Sequence, residues 1–442
     1  MFATFAALVF LMGGGSRYDI DSVGPLRGAS AVVLAVAIWW QTRVTFETIK
    51  WPVLLLCLLA TWMALQLIPL PHGTWSNLPG RALIDEVGHE MGLADISRPA
   101  TFSPMRTWNS LGSLIVPMTA LFLLALLDDK GWRDVRTAII IGGVTSALLG
   151  MAQITLRDAP GLYLYAITNG ESAVGLFSNR NHNALFLNIA MLFVLFGISQ
   201  ARIHGDKSKM ALHAFCIIVL ALGVVVNSSR FGLGLFALVV AVAAAKVIWS
   251  PGKKGGKGNR SLKDWLVGGS IALVSIALLA VFAITDRIPA LGRLFAQQFD
   301  DDQRVETFAI MAQLAQDHML LGVGFGAFEH AYRTVEPDDL LMATYLNNAH
   351  NDWLQIIIEG GIPAVLLLFA LLIFLGKQLR RHISERGVSK RSVRDGAWLG
   401  GLTLLMIGLH SFVDYPLRTP IIMLIAAVSV GAIARRGAKE TR

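Results

Sequence analysis

Charged side chains are scarce. Asp, Glu, Lys and Arg make up 15% of the 442 residues, where a soluble chain carries about a quarter. That shortage excludes an ordinary water-soluble protein of this length. Cysteine is nearly missing: Cys57 and Cys216 both sit inside apolar runs, are expected to be small buried side chains, and say nothing about redox compartment. No basic residue precedes the first apolar run and no clear small-residue cleavage site follows it, so a cleavable signal is not expected. Serine-nucleophile and HExxH zinc motifs are missing as well.

What is there instead is hydrophobic sequence, 54% of the chain with a mean hydropathy of +0.58. A bilayer core about 30 Å thick needs around 20 helical residues. Spans are expected near 2–14, 28–41, 52–70, 107–127, 136–154, 182–199, 211–227, 231–249, 264–284, 352–376, 395–413 and 418–434. The expected fold is an all-α polytopic membrane protein of about 12 transmembrane helices, a single membrane domain over 1–442 that ends in C-terminal helices at 352–434.

Placing both termini in the cytoplasm puts 25 of the 38 cations inside, including every lysine. Every inner loop is then basic, as the positive-inside rule requires. The net charge of +8 therefore reads as a topology signal, and nucleic acid is not an expected partner. The same assignment puts the long loops, 71–106, 155–181 and 285–351, on the outer face. Long ordered loops on one face point to chemistry there. Within the last of them, "RVETFAIMAQLAQDHMLL" carries Val305, Phe308, Ala309, Ala312, Ala315 and Met319 at helical spacing, and a glycine-rich "GVGFGAFEHAY" ends the helix. A helical cap against the membrane face is expected, with the glycines allowing close approach.

Candidate chemistry sits at the outer ends of the spans. His350 closes the large loop in "NNAHNDWLQIIIEGG". Alone, it is a residue before a helix, with Asn348, Asn351 or Asp352 available as cap. A neutral imidazole can also accept a proton from a hydroxyl near pH 7. Arg180 in "FSNRNHNA" and Arg230 in "NSSRFGLG" are outward arginines beside Asn179, Asn181, Ser228 and Ser229. Arginine binds phosphate oxygens in bidentate fashion, and most juxtamembrane arginines merely snorkel; both readings stay open on these residues alone. "LHSFVDYPLRTP" adds His410, Asp414 and Arg418, where an Asp–Arg pair fixing the hairpin is the plainer reading. The acidic "FDDDQR" is expected to be a solvated loop rather than a metal site. Trp75, Trp108 and Trp353 are expected as interface anchors.

In this order, "FSNRNHNA", "SSRFGLG", "LLGVGFGAFEHAY", "AHNDWLQIIIEGG" and "HSFVDYPL" resemble the O-antigen ligase and O-antigen polymerase superfamily, from about Gly175 to Pro420. The resemblance implies a glycosyltransferase-C-like enzyme of the bacterial inner membrane that works without metal or other cofactor. Its donor would be an undecaprenyl-diphosphate-linked glycan, and its acceptor lipid A core or another carrier-linked glycan. It implies His350 as the base and Arg180 and Arg230 as the diphosphate ligands, with Arg304, His182, Asp414 and Arg418 as secondary candidates. A transporter or flippase of lipid-linked glycan is the competing reading, but it calls for charged or broken spans at the midplane, whereas the ionisable residues here gather at the outer ends.

Overall fold

The computed structural model describes residues 1–249, 301–384 and 391–435, apart from positions 94, 157, 158, 160, 339, 340 and 342–345. The span expected at 264–284 lies outside the described residues. The chain forms two compact units, residues 1–135 with 301–442, and residues 136–300.

The first unit is helical. It holds α1 (Phe2–Met12), α2 (Val23–Trp39) and α3 (Arg43–Leu65), then a loop with α4 (His72–Trp75) and α5 (Ala82–Glu90). A two-residue ribbon, β1 (Pro69–Leu70) antiparallel to β2 (Arg98–Pro99), closes that loop at its base. Next come α6 (Pro104–Ser113), α7 (Ile115–Ala125) and the start of α8 (Asp129–Thr155). The second unit holds the rest of α8, α9 (Arg180–Ile203), α10 (Lys207–Asn227) and α11 (Arg230–Trp249). The chain then returns to the first unit with α12 (Asp301–Asp317), α13 (Phe328–Tyr332), α14 (Asp352–Ser384), α15 (Arg391–His410) and α16 (Pro420–Ala434).

Helices stand at each of the expected spans within the described residues. Among the described residues, six stretches are long and apolar enough to cross a membrane: α3, the α6–α7 stretch Pro104–Ala125, α8, α9, α10 and α14. Phe2–Met12, Val23–Trp39, Arg230–Ala245 and Pro420–Ala434 are apolar but shorter. Half of the twelve expected crossings thus stand by length and hydropathy.

In the first unit α7 and α16 form the centre. Val116, Leu121, Leu123 and Leu124 of one, and Ile421, Ile422, Leu424 and Ile425 of the other, are buried. In the second unit α9 is the centre, buried from His182 to Val194. Its neighbours reach it closely because glycines face it: Gly143 lies against Ala190, and Gly232 against Ala184. Small residues let helix backbones approach in this way.

Two expectations about buried side chains change. Cys57 is exposed and Cys216 half-buried, because an apolar run does not say which of its faces meets protein. Trp75 is 2% exposed and donates its indole N–H to the carbonyl of Pro99 at 3.1 Å, so it packs the ribbon rather than anchoring a surface.

The largest departure lies in α14, expected as one uninterrupted span. Gly361 (φ 59°, ψ −160°) breaks it into two helices, in a region of backbone space that only glycine visits readily. Pro363, two residues on, starts the second half and has no N–H to offer the carbonyl of Glu359. The glycine-rich loop fills the gap. Val323 N–H donates to the carbonyl of Ile358 at 2.8 Å and Gly324 N–H to that of Glu359 at 3.0 Å, while Ile362 N–H turns to the carbonyl of Met319 at 2.7 Å. Trp62 of α3 donates to the carbonyl of Gly360 at 2.8 Å. Gln66 donates to the carbonyls of Leu321 and Glu359, both at 2.9 Å, and accepts from Phe325 N–H at 3.2 Å. Before the break, α14 is enclosed by protein; after it, Leu366 and Phe369 are each 61% exposed. The largely exposed apolar face of α14 therefore begins at the break.

The loop's glycines do what their number suggests. Gly322, Gly324 and Gly326 all have positive φ, and between them Val323 and Phe325 enter two different apolar clusters. Helix α12 forms where expected, with its stripe displaced: Met311, Leu314 and Ala315 are buried, while Phe308 is 53% and Met319 44% exposed.

Candidate active site

His350 is placed by the residue types around it. Asn351 caps α14, its side-chain oxygen accepting from Leu354 N–H at 3.1 Å. Fully buried Gln355 accepts from Ala349 N–H at 3.0 Å and donates to Asn348 at 3.2 Å and to Glu359 at 2.9 Å. These bonds draw the incoming chain inward on both sides of His350 and leave that residue at φ 48°. Left-handed backbone costs a non-glycine residue about 1 kcal/mol or more and gathers at functional sites. The side chain is 47% exposed.

The hairpin between α15 and α16 supplies the other wall. Ser411 accepts Asp352 N–H at 2.8 Å through its carbonyl and donates its hydroxyl to the Asp352 carboxylate at 3.3 Å. Arg418 donates to Glu359 at 2.9 Å and lies 3.8 Å from Asp352. The hairpin arginine thus turns to two carboxylates of α14. Asp414, wholly buried, has one carboxylate oxygen 3.4 Å from His350 Nδ1 and the other 3.9 Å from His410 Nε2. The Tyr415 ring meets the His350 ring edge-on at 4.9 Å. With Nδ1 on the carboxylate side, Nε2 is the nitrogen left to take a proton. The separation is that of an ion pair, looser than a short hydrogen bond, as is common for catalytic pairs without substrate.

In the second unit Arg180 opens α9 and Arg230 opens α11. Both residues thus stand at the N-terminal ends of helices in the same unit. The neighbouring amides and hydroxyls are scaffold. Asn179 accepts Asn181 N–H at 2.8 Å as the α9 cap, Ser229 donates to Asn181 at 2.9 Å, and Asn227 donates to the carbonyl of Arg180 at 2.9 Å. Arg180 is half-buried and Arg230 exposed. His182 is wholly buried in α9, which makes it a core residue with no surface for substrate. The side chain of Arg304 and the "FDDDQR" stretch lie outside the described side chains.

Residues 214–369 match a family model described as O-antigen ligase. That match, over about a third of the chain, supports the O-antigen ligase and polymerase family. A search of curated proteins gave no match. The family's work is glycosyl transfer in O-antigen assembly, on lipid-linked glycans and by multi-pass bacterial membrane proteins. The segment matching the ligase model runs from within α10 to the second half of α14, so it includes Arg230, the glycine loop, His350 and the helix break. Arg180, Asp414 and Arg418 lie outside it.

Sequence reasoning gave no role to Gln355 and Glu359, although both stand within "AHNDWLQIIIEGG", and missed Gln66 altogether. It also missed a group of possible metal ligands, His72, Asp85 and His89, whose donor atoms lie within 4.8 Å of one another. Polar residues inside an apolar helix are the signal that could have found the first three.

Proposed function

We propose that this chain transfers a glycan from an undecaprenyl-diphosphate carrier to a sugar hydroxyl, on the periplasmic face of the inner membrane. The acceptor is lipid A core or a second carrier-linked glycan. His350 takes the proton of the acceptor hydroxyl as its oxygen attacks the anomeric carbon. The bond from that carbon to the diphosphate oxygen breaks, and its electron pair leaves with the diphosphate. Attack opposite the leaving group inverts the configuration. Arg180 and Arg230 neutralise the charge that grows on the diphosphate, which makes a separate general acid unnecessary. Asp414 holds the imidazole orientation and stabilises the imidazolium formed in transfer. No step of this scheme calls on a metal.

The observation that carries this reading is His350 itself: an exposed ring on strained backbone, 3.4 Å from a fully buried carboxylate. The test is transfer in proteoliposomes supplied with carrier-linked glycan. A general base contributes about 10²–10⁴-fold, so His350→Ala should lose activity on that scale while remaining folded. Activity at the wild-type rate would remove His350 from the chemistry. Arg180→Lys keeps the charge and loses the fork; it should weaken donor use, read as a rise in donor KM, a fall in kcat, or both.

A further inference from the structure

We infer that the loop between β1 and β2 holds a zinc site made by His72, Asp85 and His89. His72 opens α4, and Asp85 and His89 stand one turn apart on α5. His72 Nε2 is 2.7 Å from one Asp85 oxygen, and His89 Nε2 is 4.0 Å from the other. The two imidazoles meet edge-on, with centroids 5.8 Å apart.

The donor set selects the ion. Two imidazoles and one carboxylate suit zinc and related transition metals, whereas calcium and magnesium need oxygen ligands. Tetrahedral zinc with bonds of about 2 Å spaces its donors about 3.3 Å apart. The three donor atoms already lie within 4.8 Å, so small side-chain rotations complete the set. His89 is the most exposed ligand, at 57%, and the fourth position is left to water or another ligand from that side.

The helix that carries two of the ligands has little else to hold it. α5 is nine residues long and buries only Gly88, and helices this short are marginal by themselves. Its apolar residues Leu83 and Val87 lie on the face away from Asp85 and His89, at 67% and 49% exposure. Contact with α4 through the ligand group is thus a main tie between α5 and the rest of the loop. Zinc strengthens that tie, acting as a clip rather than as a centre for glycosyl transfer.

The test uses full-length protein in detergent, purified without a histidine tag, stripped with chelator and dialysed against zinc. Bound zinc is measured by elemental analysis and titration calorimetry. One equivalent is expected, with affinity at least about 10-fold weaker in His89→Ala and Asp85→Asn. Zinc should raise the Tm of the wild type and leave that of His89→Ala unchanged; because His89 is mostly exposed, the metal-free variant should melt where the metal-free wild type does. Cobalt in the same site should show tetrahedral visible absorption. Equal zinc binding by wild type and His89→Ala, or no zinc-dependent shift in Tm, would overturn the proposal.

Discussion

His350 and Asp414 illustrate what a single residue contributes. Asp414 is buried beside an imidazole it touches only at ion-pair distance, so its charge matters most when that imidazole becomes positive. Asp414→Asn keeps the shape and removes the charge. On the reading proposed here, kcat should fall while donor KM stays close to the wild-type value. A raised KM at unchanged kcat would assign Asp414 to substrate binding or to structure. A second residue-scale case lies in the cap. His318 is pushed down to about 4, first by burial and then by the nearby charge of Arg81; its ring meets Phe102 edge-on, and the Arg81 guanidinium covers that same phenyl ring. The folded state therefore holds His318 neutral, while the unfolded chain takes up a proton near pH 6.5. Stability from this group is complete above about pH 6.5 and is lost as pH falls towards 4, by on the order of 2 kcal/mol after solvent screening. Thermal unfolding at pH 7 and pH 4.5 should show the drop, and His318→Gln should reduce it. His350 was legible as a candidate because a histidine among amides stood at the edge of an apolar run. The partners on the facing hairpin were only half legible: Asp414 and Arg418 were seen, but spacing along one hairpin cannot tell which carboxylate each side chain will meet.

At the scale of elements, the broken helix decides the geometry of the site. Gly322 and Gly361 pack backbone against backbone: a Cβ on Gly361 would stand 2.8 Å from Gly322 N and from Met319 O, and one on Gly322 would strike the Glu359 carbonyl. Both residues also have positive φ. Gly361→Ala and Gly322→Ala should each cost at least about 2 kcal/mol and loosen the loop that leads to His350. The measurements are Tm in detergent and protease sensitivity of the 318–350 segment; an unchanged Tm for Gly361→Ala would mean that the break is not needed for stability. Hydropathy could not show the break, since both halves of α14 are apolar. The pair Gly360–Gly361 followed by Pro363 was the available signal, and its meaning depended on a loop that only the folded chain brings there.

At the scale of the whole molecule, the charge pattern makes the strongest statement about orientation. Every lysine falls in segments assigned to one side, and by the positive-inside rule we propose that this side is cytoplasmic. In a background with Cys57 and Cys216 replaced by serine, Gly92→Cys and Gly170→Cys should react with an impermeant maleimide added outside the inner membrane. Gly205→Cys should react only after permeabilisation. The reverse pattern would invert the topology and put His350 in the cytoplasm. Helix positions were legible because periodicity and apolar length are local properties. The division into two compact units was not, because it depends on which helices choose one another.

Gln66 has one more consequence, for the order of assembly. Its amide bonds reach Leu321, Phe325 and Glu359, which lie 255, 259 and 293 residues further along the chain. A growing chain emerges from its N-terminal end, so α3 is made long before any of these partners exists. Until they arrive, an apolar helix carries a carboxamide with nothing in the protein to meet it, an unfavourable situation in lipid. The arrival of the glycine loop and the broken helix relieves it. The seam that presents His350 is therefore completed late in synthesis, and a truncated chain would have its helices without having the seam.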